Sequence, residues 1–145
     1  MKFRLISRVL GIGLIAFSFL QLTPIIVSII YNEDNIVAFA YSFLITLVFG
    51  SFLYLVNFEK KYEGIRVKEG FLLTVLLWLF FTIFATLPLI FGSKSDLSIV
   101  SAYFEATSGL TTTGATIFSD LSGEYYSILF YRGLLQWIGG LGIIV

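Results

Sequence analysis

Three long stretches of this chain contain no Asp, Glu, Lys or Arg, and they constrain the fold more than any other feature. They comprise residues 9–30, 36–58 and 71–92. The hydrocarbon core of a bilayer is about 30 Å thick, so a helix needs roughly 20 apolar residues to cross it. Lipid cannot satisfy backbone N–H and C=O groups, so each uncharged run is expected to be a transmembrane α-helix. The sequence therefore predicts an all-α membrane protein.

The composition excludes several classes of function. Only 12% of the residues are charged, against about 25% in soluble domains. The nine Lys and Arg residues are balanced by nine Asp and Glu residues, so no basic field exists to bind nucleic acid. With no Cys and no His, thiol chemistry, the usual zinc sites and a Ser-His-Asp triad are excluded. We expect membrane lipid as the surroundings, no organic cofactor, and transport instead of an enzyme activity.

Clusters of Lys and Arg predict the orientation in the membrane. By the positive-inside rule, the N-terminus and a loop at 61–70 should be cytoplasmic, and the turns at 31–35 and 92–96 should lie outside. A basic start before an apolar run also occurs in secretory signals, but their apolar cores are only 7–15 residues long. The first run is therefore expected to remain as a span. The basic residues concerned are Lys2, Arg4, Arg8, Lys60, Lys61, Arg66 and Lys68.

A shorter helix is expected at residues 97–109. Bulky residues recur there at helical spacing, and Asp96 or Ser98 can accept the first free N–H groups. About twelve residues give a helix of roughly 18 Å, which crosses only half a membrane. Gly109 is predicted to end this half-length helix in a left-handed conformation.

The Thr-rich segment at 110–116, Leu-Thr-Thr-Thr-Gly-Ala-Thr, is poorly suited to a helix. Irregular backbone at membrane depth is tolerated only where it is buried in protein or lines a watery path. Carbonyl groups of such a strand can replace the hydration shell of a monovalent cation, and the negative end of the half-length helix favours a cation. Gly114 permits a backbone angle that a side chain would forbid. An ordinary extracellular turn followed by a Thr-rich strand is the alternative.

A fourth span is expected at residues 125–145, although it contains Arg132 and Gln136. Arg132 and Glu105 are the only ionisable residues in the proposed membrane segments, where an unpaired charge is costly. We expect them to form a buried ion pair, with a hydrogen bond from Gln136. Alternatively, Arg132 extends to the lipid head groups, and Glu105 attracts cations at a pore mouth. The small residues near Gly139 predict close packing against a neighbouring helix.

Two adjacent sequences, SAYFEATSGLTTTGAT and ILFYRGLLQWIGGLGIIV, resemble the first pore repeat of the Trk/Ktr family of potassium uptake proteins (TrkH type). Upstream, VKEGFLLTVLLWLFFTIFATLPLIF resembles the first helix of that repeat. The two N-terminal spans resemble the additional helix pair of the TrkH branch. The resemblance implies a transmembrane helix pair at 1–60, a cytoplasmic loop at 61–70 and a first repeat of potassium-channel-like fold at 71–145. That repeat comprises a span at 71–92, a pore helix at 97–109, a filter loop at 110–116 and a truncated span at 125–145.

The resemblance also implies a function and its residues. Four repeats on one chain would surround a potassium pathway in a bacterial inner membrane, and a cytosolic nucleotide-binding ring protein of the TrkA kind would gate a homodimer. Potassium is then the substrate ion. Thr112 and Thr113 would supply filter oxygens, with Gly114, Thr111 and Ala115 completing the loop.

This chain contains one such repeat, and a quarter of a filter cannot enclose an ion. Three hypotheses follow. The chain is the N-terminal part of a potassium uptake protein, or four copies assemble into a cation channel, or a non-transporting protein uses the repeat to associate with another chain. The first is favoured because no cytoplasmic tail follows the last span.

Overall fold

The computed structural model describes residues 3–56 and 67–144, and all regular secondary structure in these two ranges is α-helical. This confirms the predicted all-α fold class. The helices, in chain order, are α1 (Phe3–Leu20), α2 (Thr23–Ile30), α3 (Ile36–Val56), α4 (Val67–Gly92), α5 (Ile99–Leu110) and α6 (Tyr126–Ile144).

Three helical units in the described ranges are long and apolar enough to cross a membrane. They are Phe3–Ile30, which joins α1 and α2, then Ile36–Val56 and Val67–Gly92, with mean hydropathies of 2.1, 2.2 and 2.3. Helix α6, which contains Arg132 and Gln136, is not among these three units of the described residues. The fourth span therefore stays a prediction.

The first apolar run is interrupted between α1 and α2. Pro24 lies in the first turn of α2, where its missing N–H costs little and its fixed φ suits a helix start. Gln21 is fully buried at this interruption. Its amide nitrogen donates to Phe84 O at 3.1 Å, and its oxygen accepts from Thr46 Oγ1 at 3.1 Å. Polar contacts of this kind hold helices together in lipid, so Gln21 links the interruption to α3 and α4.

Helices α1 and α3 cross at two glycines. A Cβ atom at Gly11 would lie 2.7 Å from Gly50 O and 2.8 Å from Tyr54 N. A side chain there would force the two backbones apart. The small residues therefore let the backbones of the N-terminal helix pair touch.

Helix α4 begins at Val67, earlier than the predicted start at residue 71. Of the expected loop at 61–70, residues 61–66 lie outside the described residues. Residues 67–70 are helical and belong to α4. Lys68 and Glu69 are good helix formers, and an acidic residue in the first turn favours the positive helix end. The apolar run at 71–92 therefore predicts only the membrane-spanning part of α4. The helix also includes the charged residues Lys68 and Glu69 before that run.

Helix α5 is held by small and apolar residues on one face. Ala102 and Ala106 are fully buried, and Leu110 is almost so. They belong to the same core cluster as Leu89 of α4 and Leu135 of α6. The short helix is thereby fixed between the two helices that precede and follow it in the chain.

Candidate ion-binding loop

Helix α5 extends from Ile99 to Leu110, so both ends differ from the predicted range of 97–109. Ser98 Oγ accepts from Ser101 N at 3.1 Å, which confirms Ser98 as the N-cap. Gly109 does not end the helix, because α5 continues to Leu110, and the left-handed residue is Thr112, with a φ of 57°. The prediction for Gly109 was wrong because its lack of a side chain serves packing: a Cβ atom there would lie 3.1 Å from Leu135 Cβ.

The Thr-rich loop, which in the structure comprises residues 111–117, is exposed along its whole length. Gly114 has a φ of 76°, which confirms the backbone angle predicted for it. No other group lies within 4 Å of a Cβ atom built at Gly114, so its backbone conformation, and not a lack of space, requires glycine. Thr112 adopts a similar φ despite its β-branched side chain, at a cost of order 1–3 kcal/mol. Strain of this kind often marks a functional segment.

Several backbone carbonyl groups of the Thr-rich loop have no hydrogen-bond partner within residues 3–56 and 67–144. Thr113 N and Gly114 N donate to Ser108 O at 3.0 and 3.4 Å, and Thr112 N donates to Gly109 O at 3.0 Å. In contrast, no hydrogen bond from the described residues reaches the carbonyl oxygens of Thr111, Thr112, Thr113 or Gly114. Four successive carbonyl oxygens in an exposed loop are thus open to a ligand.

The fifth predicted residue, Ala115, differs from these four. Its carbonyl oxygen accepts from Ser108 Oγ at 2.6 Å. Two of the Thr hydroxyls also form contacts: Thr111 Oγ1 donates to Thr107 O at 2.8 Å and lies 2.8 Å from Thr113 Oγ1. All five residues therefore lie in one loop, but Ala115 is tied back to α5.

Glu105 and Arg132 form the ion pair that the sequence predicts, with Glu105 buried and Arg132 largely so. Arg132 Nη2 lies 2.5 Å from Glu105 Oε1, and the two side chains are 13% and 1% exposed. Arg132 is thus turned towards α5 and does not extend away along the helix surface. Gln136 is exposed and forms no hydrogen bond with Glu105 or Arg132 in the described ranges. The predicted hydrogen bond from Gln136 to the ion pair was therefore wrong. Helix geometry places Gln136 one turn after Arg132, but the Gln136 side chain is exposed while Arg132 reaches Glu105.

The Glu105 carboxylate also contacts the Thr-rich loop, and the sequence did not predict this contact. Thr116 Oγ1 donates to Glu105 Oε1 and Ile117 N donates to Glu105 Oε2, both at 3.0 Å. Both carboxylate oxygens are therefore engaged, one of them also by Arg132. The i, i+3 spacing of Glu105 and Ser108 places both polar side chains on one face of α5, and this spacing was the one sequence feature that could have indicated a contact with the loop.

The turn between α2 and α3, which the sequence predicts to lie outside, contains buried polar residues. Glu33 accepts from Tyr126 N at 2.6 Å and from Ser127 N at 3.1 Å, so it caps the start of α6. Asn35 Nδ2 donates to Ser127 Oγ at 2.8 Å. The N-terminal helix pair thereby fixes the beginning of α6, the helix that carries Arg132.

Glu124 organises the loops at the same end of the bundle. Burial alone would raise the pKa of its carboxyl group, but hydrogen bonds from Lys94 N, Ser93 Oγ, Tyr125 N and Ser95 N outweigh burial and lower the pKa. The carboxylate therefore joins the segment after α4 to the segment before α6.

This lowered pKa predicts acid sensitivity. Glu124 should stabilise the fold fully above its ordinary pKa of 4.5, and the contribution should be lost as pH falls through the lower folded-state pKa. We expect the unfolding midpoint of the purified chain in detergent to decrease between about pH 6 and pH 3. Glu124→Gln should have a lower midpoint at neutral pH and a smaller decrease on acidification. An equal decrease in both proteins would contradict this role.

The family described as "TrkH: Cation transport protein" matches residues 35–145. This chain belongs to the TrkH family. The match includes α3 to α6 and the entire Thr-rich loop, and it confirms the family resemblance of the sequence.

Two TrkH relatives match this chain along its whole length. The "Trk system potassium uptake protein TrkH" of Escherichia coli strain K12 is 43% identical over 145 residues, and that of Halomonas elongata is 39% identical over the same length. Both alignments cover 100% of this chain and 30% of the relative. The chain thus spans about a third of the length of these relatives.

A solved TrkH structure has the same fold. The crystal structure of the potassium transporter TrkH from Vibrio parahaemolyticus superposes with a TM-score of 0.93 at 38% identity, covering 99% of this chain and 31% of that one. Together with the three membrane-length helices, this TrkH similarity identifies an integral membrane protein.

Proposed function

We propose that this chain supplies one quarter of the ion filter of a Trk-type potassium uptake protein. The carbonyl oxygens of Thr111, Thr112, Thr113 and Gly114 are the proposed potassium ligands, with Ala115 at the end of the loop. The observation that carries the proposal is that four successive exposed carbonyl groups have no partner among the described residues. They directly follow a helix too short to cross a membrane.

The local electrostatics support a cation at this place. The C-terminal end of α5 carries the negative end of the helix dipole, and it lies next to the Thr-rich loop. Carbonyl oxygens can replace the hydration shell of a monovalent cation. The two positive φ angles, at Thr112 and Gly114, keep the loop out of a helix that would consume these oxygens.

The proposal extends to the organisation of the protein. In this organisation, the α1–α2 unit and α3 are the N-terminal helix pair, and the first repeat comprises α4, α5 and α6. The Glu105–Arg132 pair fixes α5 against α6. The N-terminus lies in the cytoplasm of a bacterium, and the complete protein is a homodimer regulated by a cytosolic nucleotide-binding ring protein. The names of the relatives, which are potassium uptake proteins, support potassium as the transported ion.

Rubidium uptake tests this function in a bacterium that lacks its own potassium uptake systems. Two forms should be compared: this chain alone, and a graft in which it replaces the matching N-terminal part of Vibrio parahaemolyticus TrkH. We expect the graft to support uptake and growth at low potassium, because the remainder of TrkH completes the filter.

The two forms also separate the alternatives. Uptake by the chain alone would show that copies of a single repeat assemble into a channel. A graft that reaches the membrane in normal amounts but takes up no rubidium, while unmodified TrkH does, would contradict the proposed function.

A further inference from the structure

Two side chains on the buried face of α5, Glu105 and Ser108, both contact the Thr-rich loop. They lie at i and i+3, so they share one face of the helix. Their exposed fractions are 2% and 6%. A buried carboxylate and a buried hydroxyl are costly in a membrane protein unless they have partners, and here the loop supplies partners to both.

Ser108 holds the middle of the loop through its backbone and its side chain. Its carbonyl oxygen accepts from Thr113 N and Gly114 N at 3.0 and 3.4 Å. Its hydroxyl donates to Ala115 O at 2.6 Å. Ser108 therefore contacts the backbone on both sides of the left-handed Gly114.

Glu105 holds the end of the loop. Its Oε2 accepts from Ile117 N and its Oε1 from Thr116 Oγ1, both at 3.0 Å. Arg132 contacts the same Oε1, so a charge on α6 stabilises the carboxylate. Hydrogen bonds to an ionised acceptor are the stronger kind, and they connect the loop to both α5 and α6.

These contacts account for the attachment of residues 115–117. In the described part of the chain, every hydrogen bond that joins these residues to a helix ends on Ser108 or Glu105. The residues are otherwise exposed.

We propose that Glu105 and Ser108 are positioning residues that hold the Thr-rich loop and thereby set its selectivity for potassium over sodium. Neither residue contacts the ion; each acts through the backbone that carries the ion ligands. The inference rests on the proposed function, because it requires the loop to be a filter. Selectivity depends on where the carbonyl oxygens lie and on how freely they move, and both depend on these contacts.

The test uses two nearly isosteric variants in the TrkH graft. Glu105→Gln keeps the side-chain size, but one carboxylate oxygen becomes an NH2 group, which cannot accept from Ile117 N or face Arg132 favourably. Ser108→Ala removes only the hydroxyl. Glu124→Gln is the matched control, since Glu124 is also a buried carboxylate that accepts backbone N–H groups, but it contacts other loops.

The readout is the ratio of rubidium to sodium uptake. We expect Glu105→Gln to reduce this ratio by about tenfold, comparable to losing one charge-assisted hydrogen bond. Ser108→Ala should reduce it less, Ser108→Thr should retain it by keeping the hydroxyl, and Glu124→Gln should leave it unchanged. Unchanged ratios in both Glu105→Gln and Ser108→Ala would overturn the proposal, as would an equal reduction in Glu124→Gln.

Hydrogen exchange provides a readout that does not need transport. In lipid nanodiscs, the amides of residues 111–118 should exchange faster in Glu105→Gln and Ser108→Ala than in Glu124→Gln. Equal exchange in the three variants would overturn the proposal even if no variant transports. Absence of uptake by the unsubstituted graft would instead count against the proposed function, so the two failures are distinguishable.

Discussion

Replacing Gly114 with Val is expected to abolish the preference for potassium over sodium in the TrkH graft. Gly114 has a φ of 76°, and an L-residue in this region pays roughly 1–2 kcal/mol, more when it is β-branched. No atom lies within 4 Å of the added Cβ, so the effect must come from the backbone. The loop would relieve the strain by moving the carbonyl groups around Gly114. The ratio of rubidium to sodium uptake measures this change.

Gly123→Val is the matched control for this substitution. Gly123 also lies in a loop, a Cβ atom there would meet nothing within 4 Å, and its φ is outside the left-handed region. The control should insert and transport normally. A Gly114→Val graft that retains the parental uptake ratio would contradict the assignment of the Thr-rich loop as a filter.

Replacing Gly139 with Ala is expected to destabilise the chain and displace the end of α5. The added Cβ atom would lie 1.8 Å from Leu110 O and 2.7 Å from Leu110 C. Backbone atoms cannot rotate away as a side chain can, so α6 and α5 would have to separate. Overpacking in a well-packed core costs about 1–3 kcal/mol and sometimes more. Because Leu110 directly precedes the Thr-rich loop, rubidium uptake should decrease together with stability.

Gly133→Ala in the same helix isolates this effect. No group lies within 4 Å of a Cβ atom at Gly133, and Ala is favoured over Gly inside a helix by up to about 1 kcal/mol. The unfolding midpoint in detergent should therefore be unchanged or higher for Gly133→Ala and clearly lower for Gly139→Ala. Equal midpoints would show that α6 does not pack against Leu110 as closely as the structure indicates.

Local sequence patterns determined much of this protein. Uncharged apolar runs predicted the membrane-length helices, because the thickness of a bilayer sets a length that composition alone reveals. Ser98 was a candidate N-cap because a hydroxyl before a helix start can accept a hydrogen bond from a free backbone N–H of the first turn. The unusual backbone angle of Gly114 was predicted correctly because positive φ angles are unfavourable for residues with a side chain. Glu105 and Arg132 were paired correctly because two opposite charges in apolar segments have few other partners.

Other features depend on contacts between distant parts of the chain. Glu33 caps α6 across 93 positions of sequence, and Asn35 reaches Ser127 across 92. The sequence of the turn at 31–35 does not indicate these contacts. Acidic residues in a turn are typical of a solvent-exposed segment, and only the packing of the start of α6 against the turn buries them.

The end of α5 and the attachment of the Thr-rich loop were also decided by tertiary structure. Glycine is typical of helix ends, but Gly109 lies within α5, where the lack of a side chain lets the helix pack closely against Leu135. Ser108 and Glu105 gained their contacts only when the loop folded back on α5. Sequence periodicity and capping rules act within a few residues, so they determined which segments form helices; the packing of α5 between α4 and α6 determined which polar groups meet.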